Sequence, residues 1–150
     1  MACEGRYDSW RQRSLSCLAY IILLDQFSRN IYRNTPKAFD QDPLALQACL
    51  EGQKRKFETE LSPVQRWFFY MPMMHSENLE IQKLSVAVFH KLAEEAPPEL
   101  KEALESAFDF ARRHYEIIAR FGRFPHRNLI LNRHSSREEI DFLKQPGSTF

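Results

Sequence analysis

Glycine is scarce in this chain, with four in 150 residues. A turn-rich all-β fold draws on glycine for its tight turns, so the shortage argues against one. Cysteine is scarce too: Cys3, Cys17 and Cys49 are odd in number and show no CxxC spacing. Such a set excludes a disulfide framework and reads as free thiols in a reducing compartment. Long apolar runs are missing. The most hydrophobic stretch, Leu15 to Leu24, is far shorter than the roughly 20 residues that span a bilayer. The opening Met-Ala-Cys-Glu-Gly-Arg lacks the apolar region of a signal peptide. A cytoplasmic location without a membrane partner is the expectation. Neither sign of charge dominates, since 21 basic and 20 acidic residues leave a net +1, and no overall field draws the chain towards nucleic acid. GxSxG, the P-loop, GxGxxG, HExxH and a cysteine–histidine signature are all missing. With no cluster of three or four metal ligands, neither a metal nor a cofactor is expected.

What is present is a helical pattern. Hydrophobic residues make up 43% and aromatics 13%, twelve of them Phe, which suits one folded domain with a single core. The first helix is expected from Asp8 or Ser9 to about Tyr32, ended by Asn34-Thr35-Pro36. Its centre, Leu15 to Leu24, is apolar nearly all round and therefore predicted buried. Asp42-Pro43 reads as a cap and first position of a second helix, with Gly52 as its terminator. Lys54, Arg55 and Lys56 beyond it read as a solvated turn. Ser62-Pro63 starts a third helix, carrying Trp67 and Phe68 and stopping near Pro72. Ser76 or Asn78 caps a fourth, with Ile81, Leu84, Val88 and Leu92 as its apolar face. After Ala96-Pro97-Pro98 the longest helix runs from about Glu99 to Phe121, striped by Leu104, Ala107, Ala111 and Ile118, and Gly122 ends it. A capping box, Ser136 to Glu139, opens a short last helix. No segment reads as a convincing strand, and short proline-marked loops suggest antiparallel helical hairpins. No clean 34-residue repeat is visible.

Three polar clusters interrupt this pattern. The first is Asp25-Gln26-Phe27-Ser28-Arg29-Asn30, continued by Arg33. Asp25 and Arg29 are four apart with the acid first, the favourable order for a helical pair. The cluster is either an internal salt bridge that fixes register or the wall of a ligand site. The second is His75-Ser76-Glu77. It offers a base with its orienter, or metal ligands together with His126; more simply, Ser76 caps the helix and Glu77 favours its positive end. The third runs from Gly122 to Asn128, where Arg123 and Arg127 could fork onto a carboxylate or phosphate, or form a solvated capping turn. His90 and His134 read as surface residues and His114 as a packed one.

The segments LDQFSRNIYRNTPKAFDQDPLAL, WFFYMPMMHSENLEIQKLSV, FDFARRHYEIIARFGRFPHRNLILNR and EEIDFLKQPGSTF together resemble the domain of unknown function 924 family over residues 15–150. The resemblance implies an all-α fold of the tetratricopeptide-like superfamily, with about six helices, and no established activity. Its signature polar residues fall on Asp25, Gln26, Arg29, Asn30, Arg33, His75, Ser76, Glu77, Arg123, His126, Arg127 and Asn128. Ser28 stands where the family usually has proline, and Met74 where it usually has an acidic residue. Family members also carry an upstream aromatic segment, so residues 1–14 read as a divergent or truncated N-terminal piece. A helix missing there would leave apolar surface for a partner or for self-association.

Three functional readings follow. One is a binding or scaffold module whose basic groove, lined by Arg29, Arg33, Arg123 and Arg127, holds an acidic peptide or a terminal carboxylate. Another is a site for a small anionic metabolite, enzymatic or not, where the clusters converge. In it His126 or His75 is the acid–base candidate and Asp25 the orienter; Asn30, Glu77 and Asn128 join the ligand set. The third is a set of buried networks that fix loop geometry.

Overall fold

A computed structural model describes residues 7–150 of the chain; Cys3 lies outside them. Six helices and several short 3-10 turns make up the described residues, with no strand among them. Helix α1 is built of three joined segments: Ser14–Ile22, a π-helical stretch at Leu23–Phe27, and Ser28–Ile31. Then come α2 (Asp42–Lys54), α3 (Pro63–Met74), α4 (Leu79–Glu94), α5 (Lys101–Phe121) and α6 (Arg137–Leu143). Consecutive helices pack on one another, α4 with α5 most extensively, and α1 lies against both α2 and α3. None of the helices is long and apolar enough to cross a membrane.

The core is formed by Tyr20 and Ile21 of α1, Ala45 and Cys49 of α2, Phe69 and Met73 of α3, and Phe89 of α4. Leu104, Ala107 and Ala111 of α5 close it from the other side. Cys17 and Cys49 are buried free thiols. Burial pushes the Cys17 thiol up to about 11, and Cys49 well above its ordinary value, so neither is a poised nucleophile.

Several boundaries follow the expected chemistry. Ser62 and Ser136 both form capping boxes, with Gln65 and Glu139. Asn78 accepts from the backbone N–H groups of Glu80 and Ile81. Gly122 closes α5 in the left-handed conformation, φ +68°. Where the structure departs from the sequence pattern, tertiary contacts account for it. The first helix starts at Ser14, because Asp8–Gln12 is a 3-10 turn and Arg13 is extended. Its centre, residues 15–24, is also not buried all round: Leu15 is 59% exposed, and Ala19 is exposed too. Asp42 is the first residue inside α2 and caps nothing, because its carboxylate is taken by Arg29. The chain runs through Pro72 to Met74, since Met73 and Met74 are buried beyond it. On α4 the inward face is Gln82, Ser85, Phe89 and Leu92, and Leu84 is 51% exposed. Gln82 belongs inside because its amide donates to the carbonyls of Met74 and Ser76 at the end of α3.

Gly52 does not end α2. It is buried within it, and a Cβ there would stand 2.8 Å from the Phe69 ring and 3.2 Å from that of Phe57. Alanine normally gains roughly 0.5–1 kcal/mol over glycine inside a helix, whereas overpacking a filled core costs about 1–3 kcal/mol. Phe69 is fully enclosed, so the steric effect wins. Gly52→Ala is expected to lower the urea midpoint; a raised midpoint would show that the ring has room to move.

Candidate functional site

The π-helical stretch is the local feature that sets up the site. A single π turn within an α-helix inserts one residue and re-aims those around it. Here it places Asp25 inside the protein at 1% exposure, beside Leu24, while Phe27 turns outwards. A carboxylate so placed needs partners. His75, the residue that ends α3, supplies its Nδ1 at 2.6 Å from Asp25 Oδ1. Arg29 Nε lies 3.4 Å from the same oxygen, and the Gln26 amide donates to Oδ2. Burial opposes the charge on Asp25, but His75, Arg29 and Gln26 outweigh it and hold the carboxyl at about 2. Burial also pulls His75 below its ordinary value, against the attraction of Asp25. At neutral pH the pair is therefore a carboxylate accepting from a neutral imidazole.

Arg29 reaches further than its helical neighbour. Its Nη2 donates to both oxygens of Asp42, at 2.8 and 2.7 Å. Arg127, 6% exposed, donates from Nη2 to the His75 carbonyl at 3.0 Å and comes within 3.5 Å of Asp42 Oδ2. Its guanidinium lies between two rings, 4.7 Å from the Phe39 centroid and 4.5 Å from that of Phe124. Burial, with Arg29 close by, brings Arg127 down to about 10, so it stays charged. Burial pushes Asp42 up, against both arginines. The Asp25 and His75 clusters and part of the Gly122–Asn128 loop thus converge on one network.

The rest of that loop goes elsewhere. Arg123 is committed to Glu139, with Nε and Nη2 at 2.7 and 2.8 Å from its two oxygens, and also donates to the His134 carbonyl. Glu139 is the same residue that completes the α6 capping box. Arg123 and Arg127 therefore do not fork onto one anion. Glu77 accepts from Arg133 at 2.7 and 2.9 Å and from the Phe124 backbone N–H at 2.8 Å. Asn128, 1% exposed, accepts from Arg133 Nε and donates to Ser135. Glu77, Arg133 and Asn128 thus tie the α3–α4 connection to the loop after α5. Among the described residues no group of three or more histidines, cysteines or carboxylates could hold a metal ion.

Two open grooves border the network, with Phe39 as a wall of both. One, about 450 Å³, is lined by Arg29, Asn30, Arg33, His126, Phe39 and Phe150, and every charged side chain in it is basic. Asn30 donates to the Gln26 carbonyl and accepts from the exposed Arg33. His126 is driven down to about 4, by burial first and then by Arg127 and Arg29, and its Nδ1 is sealed without a partner. The other groove, about 400 Å³, takes in His75, Asp42, Glu77, Asp40, Arg127 and Leu46. Asp42 is the member that the sequence pattern hid, since an Asp-Pro pair reads as a helix start; Arg133 is visible in the sequence just beyond the third cluster. His114 is buried as expected, stacked on Phe150 at 3.8 Å with Nδ1 on the Phe110 carbonyl, and burial takes it to about 3.

Two measurements test this electrostatic layout. Glu77→Ala leaves the Arg133 guanidinium and the Phe124 N–H without their acceptor, and is expected to cost about 1–3 kcal/mol in chemical denaturation. The second is pH dependence. His75, His114 and His126 all titrate lower folded than unfolded, so unfolding takes up protons below the ordinary histidine value of 6.5. Stability is then lost progressively as pH falls from that value towards 4. Asp25 and Glu139, both held at about 2, extend the loss below the ordinary carboxylate range. Urea midpoints are expected to fall steadily from pH 7 to pH 4, with a shallower slope in His114→Phe. A midpoint that rises towards pH 5 contradicts the assignment.

The geometry can be set beside known proteins. No curated protein matches the chain. A solved structure of a protein of unknown function from Agrobacterium tumefaciens is similar over 95% of this chain and 75% of its own, at 34% identity and a TM-score of 0.84. The sequence pattern of the family described as "Bacterial protein of unknown function (DUF924)" matches residues 1–147. The chain belongs to the DUF924 family.

Proposed function

We propose that this protein is a helical binding module of tetratricopeptide-like type whose basic groove takes an acidic group, a peptide carboxylate or a small anion. The observation that carries the reading is the lining of that groove: Arg29 and Arg33 stand in it with no acidic side chain among the lining residues. Arg33 is exposed and, among the described residues, engages the neutral side chain of Asn30 and no carboxylate. A guanidinium so placed can accept a carboxylate without giving up an ion pair. Phe39 and Phe150 supply apolar walls on which the rest of a ligand can rest. Arg123, Glu77 and Asn128 drop out of the ligand set, since their polar atoms serve contacts between loops. A cytoplasmic location belongs to this reading, supported by the buried free thiols Cys17 and Cys49.

The test is titration of the protein with a short glutamate-rich peptide bearing a free C-terminus, and with citrate, each at low and at physiological salt. Binding is expected to weaken with salt. Arg33→Ala is expected to weaken it by about tenfold or more with the melting temperature unchanged. Equal affinity in the variant would overturn the reading.

A further inference from the structure

The second groove differs in character, and His75 lies in its wall. The two ring nitrogens of His75 have separate fates. Nδ1 is held by Asp25 at 2.6 Å. Nε2 has no hydrogen-bond partner among the described residues, and the side chain, 13% exposed, lines the groove. With Asp25 a carboxylate, Nδ1 carries the proton and Nε2 a free lone pair. This is the arrangement in which a buried acid orients a histidine for proton abstraction. The element that delivers the acid is a π turn, a distortion found frequently at functional positions.

The lining of the groove narrows what it admits. Asp40, Asp42 and Glu77 line it, Asp42 paired with Arg29 and Glu77 with Arg133, and its lining guanidinium, Arg127, already neighbours Asp42 and donates to the His75 carbonyl. A phosphate ester would find that guanidinium already engaged, and Asp40 beside it. An uncharged acyl compound needs no such cation, and Phe39, Leu46 and Leu131 offer it apolar contact.

We propose that His75 is a general base that activates water for hydrolysis of an uncharged carboxylic ester bound in this groove, with Asp25 as its positioning residue. In the step, His75 Nε2 takes a proton from water as the water oxygen bonds to the acyl carbon. Collapse of the tetrahedral adduct breaks the ester C–O bond, and the electron pair leaves with the alkoxide. The imidazolium returns its proton to that oxygen, so the products are the acid and the alcohol and His75 is neutral again. Asp25 stays ionised and keeps Nδ1 protonated throughout. The site uses none of the cationic residues of the basic groove except Arg29, which steadies Asp25 and Asp42 from behind. It stands or falls independently of anion binding there.

The experiment uses the full chain and two chromogenic probes, p-nitrophenyl acetate and p-nitrophenyl butyrate. Hydrolysis above the buffer rate is expected, with an acid limb whose midpoint lies below the ordinary histidine value of 6.5, because burial lowers His75. Rate is present above that midpoint and lost as pH falls through it. His75→Gln and Asp25→Asn are each expected to reduce the rate at least tenfold, and Asp25→Asn to move the acid limb as well. His90→Gln and His134→Gln, both at exposed surface positions, are expected to match wild type and so control for adventitious histidine reactivity. No hydrolysis of either ester by wild type, or an undiminished rate in folded His75→Gln, overturns the proposal. Should both site variants unfold, nitrogen-15 spectra of the wild-type histidines decide it. His75 neutral at pH 7 with the proton on Nδ1 supports the assignment, and the opposite tautomer or an imidazolium rejects it.

Discussion

A carboxylate sealed inside a helical protein imposes conditions on everything near it, and Asp25 is that carboxylate. Its charge survives burial only because three side chains from two parts of the chain donate to it: Gln26 and Arg29 from its own helix, His75 from the end of α3. Each donor then acquires a further obligation. Arg29 reaches across to Asp42 at the start of α2, and the His75 carbonyl receives Arg127 from the loop after α5. The requirement to pair one buried charge thereby ties α1, α2, α3 and the Pro125–Arg127 turn into one unit. Hydrophobic packing brings these elements together, and the ionic network decides how their ends are arranged.

Local chemistry made much of the fold legible beforehand. Serine before proline at residues 62–63, Asn78, Gly122 and the Ser136–Glu139 box each act through contacts within a few residues, which is why their positions could be read from sequence alone. The misreadings share one cause, which is dependence on a distant partner. Asp42 resembles a cap until Arg29 claims it; Gly52 resembles a stop until Phe69 fills the space beside it; Pro72 resembles an end until two buried methionines carry the helix on. Gln82 interrupts a pattern that would otherwise place the core on Leu84, because an amide facing two carbonyls outweighs one more leucine. The polar residues of the site were visible as three clusters. Their division into groove-lining and loop-tying members was not, since it depends on which carboxylate each arginine meets.

Beside the network lie two adjoining grooves of different lining, one with the arginines Arg29 and Arg33, the other with Asp40, Asp42 and Glu77. Phe39 belongs to both, and the stack of Phe39, Arg127 and Phe124 continues inwards from it. A guanidinium clamped between rings cannot swing to meet an incoming ligand, so Arg127 serves as a fixed partition. Arg33 by contrast is exposed and bonded to a neutral side chain, that of Asn30. The molecule thus combines a fixed divide with an exposed cationic rim.

The π turn at Leu23–Phe27 has a geometric meaning beyond the burial of Asp25. One residue inserted into an α-helix rotates everything after it by about 100° about the helix axis. Arg29 is the first long cation after that rotation, and it is the one that holds Asp42. The single surplus residue works as an angular offset between the two halves of one helix. The first half keeps its contacts with the core, while the second presents its cations to a surface that an unbroken helix would have turned away from.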